Sequence, residues 1–257
     1  MIALSLQSGS NGNCIYVEAA GTRLLFDAGI SGVQAERRLA AFGRDIRKVD
    51  AVIISHDHSD HVRCAGVLHR KYDLPLFASR PTLHAAERNL DLGAVREVND
   101  FTSGSALRFG KMTVETLRTP HDAQDGVVFV VCAEGKRLGI LTDLGHVFDG
   151  LPALIESLDA VFLESNYDPE MLESGPYPAF LKARIRGPHG HISNIESAEL
   201  LRGSASRALQ WACLAHLSEQ NNRPELALKT HRKIVGDAFP IRAASRYEPT
   251  GLFEIRP

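Results

Sequence analysis

The feature that most constrains this chain is a run of histidines and aspartates that follows a short apolar segment. Residues 51–54, Ala-Val-Ile-Ile, contain no polar side chain, which indicates a short strand buried on both faces. The run His56-Asp57-His58-Ser59-Asp60-His61 begins just after that strand. Because the strand is buried, its end holds these ionisable side chains close to the protein interior. We therefore expect a metal site at the carboxyl end of this strand.

The spacing within this run indicates two neighbouring positions for ligands. His56 and His58 point to the same side of an extended segment, because side chains alternate with a period of two. Asp60 and His61 then belong to a turn and can face a second position. Imidazole and carboxylate groups together suit Zn²⁺, Mn²⁺ or Fe, whereas Ca²⁺ and Mg²⁺ sites consist almost wholly of oxygen ligands.

Apolar runs and turn residues divide the chain into two similar halves. Each half begins with strands and continues with alternating helices and strands, which suits two sheets packed face to face with helices outside. No linker rich in Pro, Gly or Ser separates the halves, so we predict one domain over residues 1–257, with a final strand pair within residues 241–255. Helices are predicted over residues 31–42, 64–71, 81–90, 179–185, 195–202 and 224–235, and the other strands over residues 2–6, 14–18, 23–26, 51–54, 76–78, 112–117, 127–133, 137–141, 160–163 and 210–214.

The charge balance and the cysteines narrow the class of protein. Lys and Arg total 29 against 31 Asp and Glu, so the chain lacks the overall basic charge common among nucleic-acid binders. No apolar run approaches the ~20 residues that span a bilayer, and the first residues lack the pattern of a signal peptide. The four cysteines form no CxxC pair and are predicted to be reduced. We expect a cytoplasmic protein with no membrane partner.

Ser55 to His61 match the HxHxDH motif of the metallo-β-lactamase superfamily, which most of the chain resembles. This resemblance implies an α/β (α+β) fold, the four-layer αββα sandwich. It also implies further ligands after later strands, which His121, Asp143 and His216 match in the expected order. An acidic residue after an early strand is expected to accept a hydrogen bond from a ligand histidine, and Asp27 matches it.

The same resemblance implies two divalent metal ions, Zn, Mn or Fe, that share one carboxylate. Two cations a few ångströms apart repel strongly, so a carboxylate and a hydroxide are needed between them. The metals make this hydroxide the nucleophile of a hydrolase, and Asp60 is the catalytic residue expected to orient it. The expected ligands are His56, His58 and His121 for one ion, Asp60, His61 and His216 for the other, and Asp143 for both.

Several strings outside the metal motif resemble the small bacterial proteins of the YycJ/WalJ type. That resemblance implies a phosphodiester-cleaving exonuclease that acts on DNA from 5′ to 3′ and is linked to DNA repair. Hydrolases of the same fold also act on thioesters, lactones or cyclic nucleotides, which are the alternative substrates. A non-catalytic metal-binding protein and a redox protein are further alternatives. The strings are residues 8–13, 164–168, 190–194 and 217–222.

A locally basic stretch is the candidate for substrate contact. Lys182 and Arg184 lie in a predicted helix, and Ser193 or Asn194 can cap the next helix, whose N-terminal amides can also receive a phosphate. His191 is the candidate for a catalytic general acid that protonates the leaving oxygen or for an electrostatic clamp on the phosphate, and a structural role is the alternative. The remaining candidates are Asp57 and His146 for contact with a ligand histidine, and His69, His84 and His231 for the surface.

Overall fold

Two seven-stranded β-sheets form the centre of the computed structural model, which describes residues 1–257. One half of each sheet is antiparallel and the other half is parallel. The first sheet contains β1 (Ile2–Gln7), β2 (Cys14–Ala19), β3 (Thr22–Phe26), β4 (Ala51–Ile53), β5 (Leu76–Ala78), β6 (Val98–Asp100) and, beside β1, β14 (Phe253–Glu254). The second contains β7 (Ala106–Phe109), β8 (Met112–Arg118), β9 (Val127–Ala133), β10 (Lys136–Leu141), β11 (Ala160–Glu164), β12 (Trp211–Ala215) and β13 (Ile241–Ala243).

The two sheets face each other across a shared apolar core. In β9, Phe129 and Val131 lie in the core between the sheets, whereas Val128 and Val130 lie in a second core on the outer face. Side chains alternate along a strand, so a strand that is apolar at successive positions is buried on both faces. The apolar run of β9 therefore requires helices outside the second sheet.

Helices cover the outer face of each sheet. The α-helices of the chain are α1 (Gly32–Ala40), α2 (Ser59–Val62), α3 (Ala65–Tyr72), α4 (Arg80–Asn89), α5 (Leu151–Glu156), α6 (Pro169–Ser174), α7 (Ala179–Arg186), α8 (Asn194–Ser204) and α9 (Pro224–Val235). Leu39 of α1 and Leu68 of α3 pack in one core with Leu25 of the first sheet. Ile155 of α5 and Leu201 of α8 pack in another core with the second sheet. The layers therefore follow the order helix, sheet, sheet, helix.

Local signals in the sequence set several of these boundaries. Ser31 caps α1 and Ser193 caps α8, each with the reciprocal hydrogen bonds of a capping box. The hairpins β2–β3 and β9–β10 turn at residues 20–21 and 134–135, where both positions have positive φ. This backbone conformation suits a two-residue hairpin because its twist matches that of the strands.

The C-terminal tail departs from the prediction. β13 pairs with β12 in the second sheet, whereas β14 pairs with β1 in the first, so residues 241–255 do not form one strand pair. No helix combines the length and the apolar character needed to cross a membrane.

His231 was predicted at the surface, and this prediction is wrong. The residue is buried where α9 packs on α8. Its Nδ1 donates to the Ala227 carbonyl at 2.8 Å, and its Nε2 lies 3.2 Å from the Ser197 hydroxyl. A neutral imidazole has one donor and one acceptor, so these two partners satisfy it inside the protein.

Candidate metal centre

Loops at the carboxyl ends of parallel strands bring the predicted ligands together. Asp27 follows β3, His56 follows β4, Asp143 follows β10 and His216 follows β12. β3 and β4 are parallel neighbours in the first sheet, as are β10, β11 and β12 in the second. Parallel strands present their carboxyl ends at one edge of a sheet, and here the loops of both sheets meet.

A close backbone approach fixes the turn that carries Asp60 and His61. The Asp60 carbonyl accepts a hydrogen bond from Asn13 N at 2.8 Å, and the His61 carbonyl accepts one from Ala28 N at 2.6 Å. Gly29 lies so close to this turn that a Cβ on it would be 1.7 Å from the Asp60 carbonyl oxygen. Only glycine fits there, and the loop after β3 therefore sets the position of the turn.

The first group of ligand atoms comes from His56, His58 and His121, which offer ring nitrogens within 4.8 Å of one another. His121 Nε2 lies 3.2 Å from His58 Nδ1. His121 Nδ1 donates to the Gly190 carbonyl at 2.9 Å, so its Nε2 carries the lone pair that faces this group. The three histidines predicted for one ion thus converge on a common position.

The second group comes from Asp60, His61 and His216, whose ligand atoms also lie within 4.8 Å of one another. His216 Nε2 is 3.2 Å from Asp60 Oδ2. Asp143 lies between the two groups, because its Oδ2 is 3.2 Å from His61 Nε2 and its Oδ1 is 3.5 Å from His121 Nε2. The arrangement places Asp143 where a carboxylate can contact both positions.

Two buried polar atoms at this centre have no hydrogen-bond partner within the chain. They are His56 Nε2 and Asp143 Oδ2. A buried lone pair without a partner is costly, so natural proteins rarely leave one unless a water or an ion completes it. Imidazole nitrogens and carboxylate oxygens are donors that suit Zn²⁺, Mn²⁺ and Fe. These residues fit a divalent metal.

Asp27 lies beside one of the histidines. Its Oδ2 accepts a hydrogen bond from His61 Nδ1 at 2.8 Å, and its Oδ1 accepts one from Ser55 N at 2.8 Å. The proton on Nδ1 leaves His61 Nε2 with the lone pair that faces the centre. The other candidates for this role have different partners: Asp57 accepts from Gln124 N, and His146 Nδ1 donates to the Pro188 carbonyl.

The backbone is strained at three residues of the centre. Asp27, Asp143 and His216 have φ values of 65°, 57° and 55°, a region that residues other than glycine rarely adopt. Each lies just beyond the end of a strand. Such strain persists only where the surroundings impose it, and it is concentrated at functional sites.

Opposite charges at the centre stabilise each other. Burial alone opposes ionisation of Asp60, but the neighbouring His61 and His216 outweigh it and lower the pKa of Asp60 to about 2. Burial likewise opposes protonation of His216, yet Asp143, Asp60 and Glu164 together raise its pKa to about 10. By contrast, burial and the nearby His61 lower the pKa of His56 well below its usual range. The carboxylates therefore create a strongly negative pocket that favours cations.

Glu164, the last residue of β11, is a member of the site that the residue patterns did not single out. It is wholly buried, and its Oε1 accepts a hydrogen bond from His191 Nδ1 at 2.6 Å. The His191 ring lies between the rings of His121 and His216, with centroid distances of 5.0 and 5.3 Å. The sequence signal that could have identified Glu164 is an acidic residue at the end of a fully buried strand.

A cavity of about 210 Å³ opens onto both groups of ligands. Asp60, Asp122 and Asp143 line it, together with His191. Arg184 is the only Lys or Arg side chain on its wall. Three carboxylates and one guanidinium give a wall that repels a phosphate unless cations offset the charge.

The residues predicted to bind substrate occupy different places. Arg184 lines the cavity, where its Nε lies 2.6 Å from Asp122 Oδ2. Lys182 lies away from the cavity wall and bonds the Glu173 carbonyl. Ser193 and Asn194 do not reach the cavity, because both are buried and their side chains bond inside the protein. The substrate contact predicted for these two residues is therefore corrected. The capping box of α8 uses the amides of Ser193 and Glu196, and the Asn194 amide donates to the Tyr167 carbonyl.

Comparison with known proteins identifies the family of this chain. A profile of the metallo-beta-lactamase superfamily matches residues 8–197, which include every predicted ligand except His216. The chain belongs to this superfamily. It is 37% identical over 227 residues to exodeoxyribonuclease WalJ of Streptococcus pneumoniae serotype 2, covering 88% of this chain and 84% of that protein. It is 34% identical over 254 residues to exodeoxyribonuclease YycJ of Bacillus anthracis, covering 96% of each. The predicted family is confirmed.

Solved structures share the architecture. The metallo-beta-lactamase fold protein YhfI from Bacillus subtilis matches with a TM-score of 0.73 over 98% of both chains at 15% identity. Zn²⁺-bound PqqB from Methylobacterium extorquens matches with a TM-score of 0.71 at 18% identity, over 97% of this chain and 99% of that one. At these identities the likeness concerns the fold alone, and it confirms the predicted layered α/β class.

Proposed function

We propose that this nuclease removes nucleotides from the 5′ end of a DNA strand with two divalent metal ions. The chain is a metal-dependent hydrolase of the family that includes WalJ and YycJ, both named exodeoxyribonucleases. The observation that carries the proposal is the pair of ligand groups on either side of Asp143, which open onto one cavity. Two metal positions about one carboxylate suit an in-line displacement at a phosphodiester.

The proposed ligands are those that converge in the two groups. When bound, a pair of divalent cations would acidify a water molecule and offset the charge of the phosphate. The chain's own contribution is to hold the donor atoms in place, through Asp27 on His61 and the Gly190 carbonyl on His121. One ion would lie on His56, His58 and His121, the other on Asp60, His61 and His216, with Asp143 shared.

Asp60 is proposed to orient the attacking water. Its Oδ2 lies against His216 and the Asn13 amide, at 3.2 and 3.3 Å, which leaves Oδ1 for a hydrogen bond from water. Because its pKa is about 2, the carboxylate is ionised at neutral pH and accepts that bond. Asp60 thus combines a ligand role with positioning of the nucleophile.

His191 is proposed to give a proton to the leaving oxygen. Glu164 accepts a hydrogen bond from His191 Nδ1 and so fixes the ring orientation, while the His191 side chain, 19% exposed, lines the cavity. This leaves Nε2 as the ring atom available to substrate. Arg184, on the same wall, is proposed to hold the phosphate through the guanidinium nitrogens that Asp122 does not bind.

The function is tested with metal-replete protein and DNA or RNA strands labelled at either end. We expect labelled mononucleotides to appear first from the 5′ end of DNA. Asp60→Ala should lower the rate by more than the roughly 10–100-fold typical of a lost supporting partner. Asp237→Ala, at an exposed and distant aspartate, is the matched control and should leave the rate unchanged. Inactivity on every nucleic acid, with turnover of a lactone or thioester, would overturn the proposal.

The role of His191 is tested separately. His191→Ala should lower the rate about 10²–10⁴-fold while the metal content, measured by mass spectrometry, stays that of the unmodified protein. Loss of metal in this variant would instead identify His191 as a ligand, and the acid assignment would fail.

We also propose that residues 1–257 act as one domain in the cytoplasm. The core between the sheets draws residues from both halves of the chain, including Phe26 and Phe162. The four cysteines are free, which suits a reducing compartment.

A further inference from the structure

The cavity has one apolar side, and all of it comes from a single segment. Its three hydrophobic lining residues are Tyr177, Leu181 and Ile185, which belong to α7 and to the turn before it. The other lining residues are polar or glycine, and they include proposed ligands, carboxylates, Arg184 and Ser218. The metal centre therefore faces an aromatic and aliphatic wall, which the proposed hydrolysis of a phosphate does not itself require.

The backbone holds Tyr177 in a restricted conformation. It lies between Pro176 and Pro178 in the sequence Gly-Pro-Tyr-Pro. A proline fixes its own φ and excludes the helical region for the residue before it, so Tyr177 is kept extended. An aromatic ring on such a backbone loses little entropy when a ligand covers it.

The turn that carries Tyr177 is fastened to the metal centre. A Cβ on Gly175 would lie 2.7 Å from the Met171 carbonyl oxygen and 2.9 Å from Asn221 Oδ1, so this turn packs tightly on the loop after β12. In that loop Asn221 N donates to Ser218 Oγ at 3.3 Å. Ser218 itself lines the cavity. Movement of Tyr177 relative to the ligand groups is therefore limited.

We propose that Tyr177 stacks on a nucleobase that flanks the scissile phosphate, with Leu181 and Ile185 completing a base-binding subsite. This inference rests on the proposed nuclease function and adds a positioning role to it. Every nucleobase has an apolar face that stacks on an aromatic ring regardless of sequence. The cavity thus combines a polar side for the phosphate with an apolar side for the base.

Stacking in this cavity has a consequence for the form of the substrate. A base inside a duplex is covered on both faces by its neighbours, so it can lie on Tyr177 only after it has left the stack, whereas a terminal base already exposes one face. Stacking of the base on the inner side of the scissile phosphate therefore requires the strand end to open at the position of cleavage. A frayed or mismatched end should be used faster than a stable G·C end.

The test combines a protein change with a substrate change. Tyr177→Ala should lower kcat/KM about tenfold on a normal DNA strand, which corresponds to about 1.4 kcal/mol and lies within the range for one base–aromatic stack. Of two strands that each lack one base beside the first scissile phosphate, the strand that lacks the stacked base should be poorer for the unmodified protein by about the same factor. On the abasic strand that matters, Tyr177→Ala should cause no further loss.

The matched controls separate stacking from a structural effect. Tyr177→Phe keeps the ring and should retain the activity. Phe180→Ala removes an aromatic residue of the same segment that is 76% exposed and lies off the cavity wall, and it should have no effect. Equal losses on normal and on both abasic strands, or an equal loss in Phe180→Ala, would overturn the subsite. Inactivity of the unmodified protein on all strands would instead overturn the proposed function.

Discussion

Replacing Gly29 with alanine tests most directly how the backbone positions Asp60. The new Cβ would lie 1.7 Å from the Asp60 carbonyl oxygen and 2.6 Å from Asn13 N. Contacts under 3.0 Å are essentially never observed, so the two segments must separate by about 1.3 Å, the difference between 3.0 and 1.7 Å. That separation stretches the 2.8 Å hydrogen bond from Asn13 N to Asp60.

Two effects of different size should follow from this separation. Overpacking of a buried position costs about 1–3 kcal/mol of unfolding free energy. A shift of about 1 Å in a catalytic group costs about a hundredfold in turnover. Because Asp60 moves with its backbone, we expect turnover to fall about a hundredfold in a protein that still folds.

The measurements are urea unfolding, metal content and release of nucleotides from labelled DNA. The control is Gly203→Ala, the same substitution at an exposed position of α8 where a Cβ meets no atom within 4 Å. There alanine should raise the unfolding free energy by about 0.5–1 kcal/mol and leave turnover unchanged. If Gly29→Ala matches the unmodified protein in turnover and stability, the close approach does not position Asp60 and the reasoning is wrong.

Two further changes can be checked in the same preparations. Burial lowers the pKa of His231 to about 4, from about 6.5 in an unfolded chain. As the pH falls from 6.5 to 4, the unfolded state therefore binds a proton before the folded state does. The free energy of unfolding then decreases by up to about 3 kcal/mol. His231→Gln should lack this part of the slope in urea unfolding at pH 7, 5.5 and 4.5, and an unchanged slope would contradict it. Arg184→Gln should weaken DNA binding and reduce the slope of log K against log salt concentration by about 1, the value for one lost phosphate contact. Lys182 lies off the cavity wall, so Lys182→Gln should change neither quantity.

Strands with strong apolar runs were predicted well, and short edge strands were missed. β9 and β11 have buried side chains throughout nearly their whole length, and such runs leave few alternatives to a central strand. β6 and β7 expose much of their surface at the sheet edges, and no run of apolar residues marks them. They form because a neighbouring strand offers hydrogen bonds, β5 to β6 and β8 to β7, and their own residues do not carry that information.

The site residues also divide into those with a local sequence signal and those without one. His56 to His61 are adjacent in sequence and follow one buried strand, so their local pattern was enough to predict ligands. His121, Asp143 and His216 were found only because the family resemblance supplied their order. Glu164 contacts His191 and Tyr177 lines the cavity through packing of distant segments, and the spacing of the ligand residues predicted neither of them.

The amino-acid sequence alone was enough to predict the layered arrangement and the ligand motif from His56 to His61. Buried strands and ligand spacing are local patterns, so they can be recognised without knowledge of distant partners. The tertiary structure was needed to show that Gly29 admits the Asp60 turn, that Ser193 and Asn194 face inward, and that an aromatic wall faces the metal centre. Each of these depends on residues far apart in the chain that meet only in the folded protein. Contacts between such residues depend on how the whole chain packs, so the local spacing of residues does not predict them.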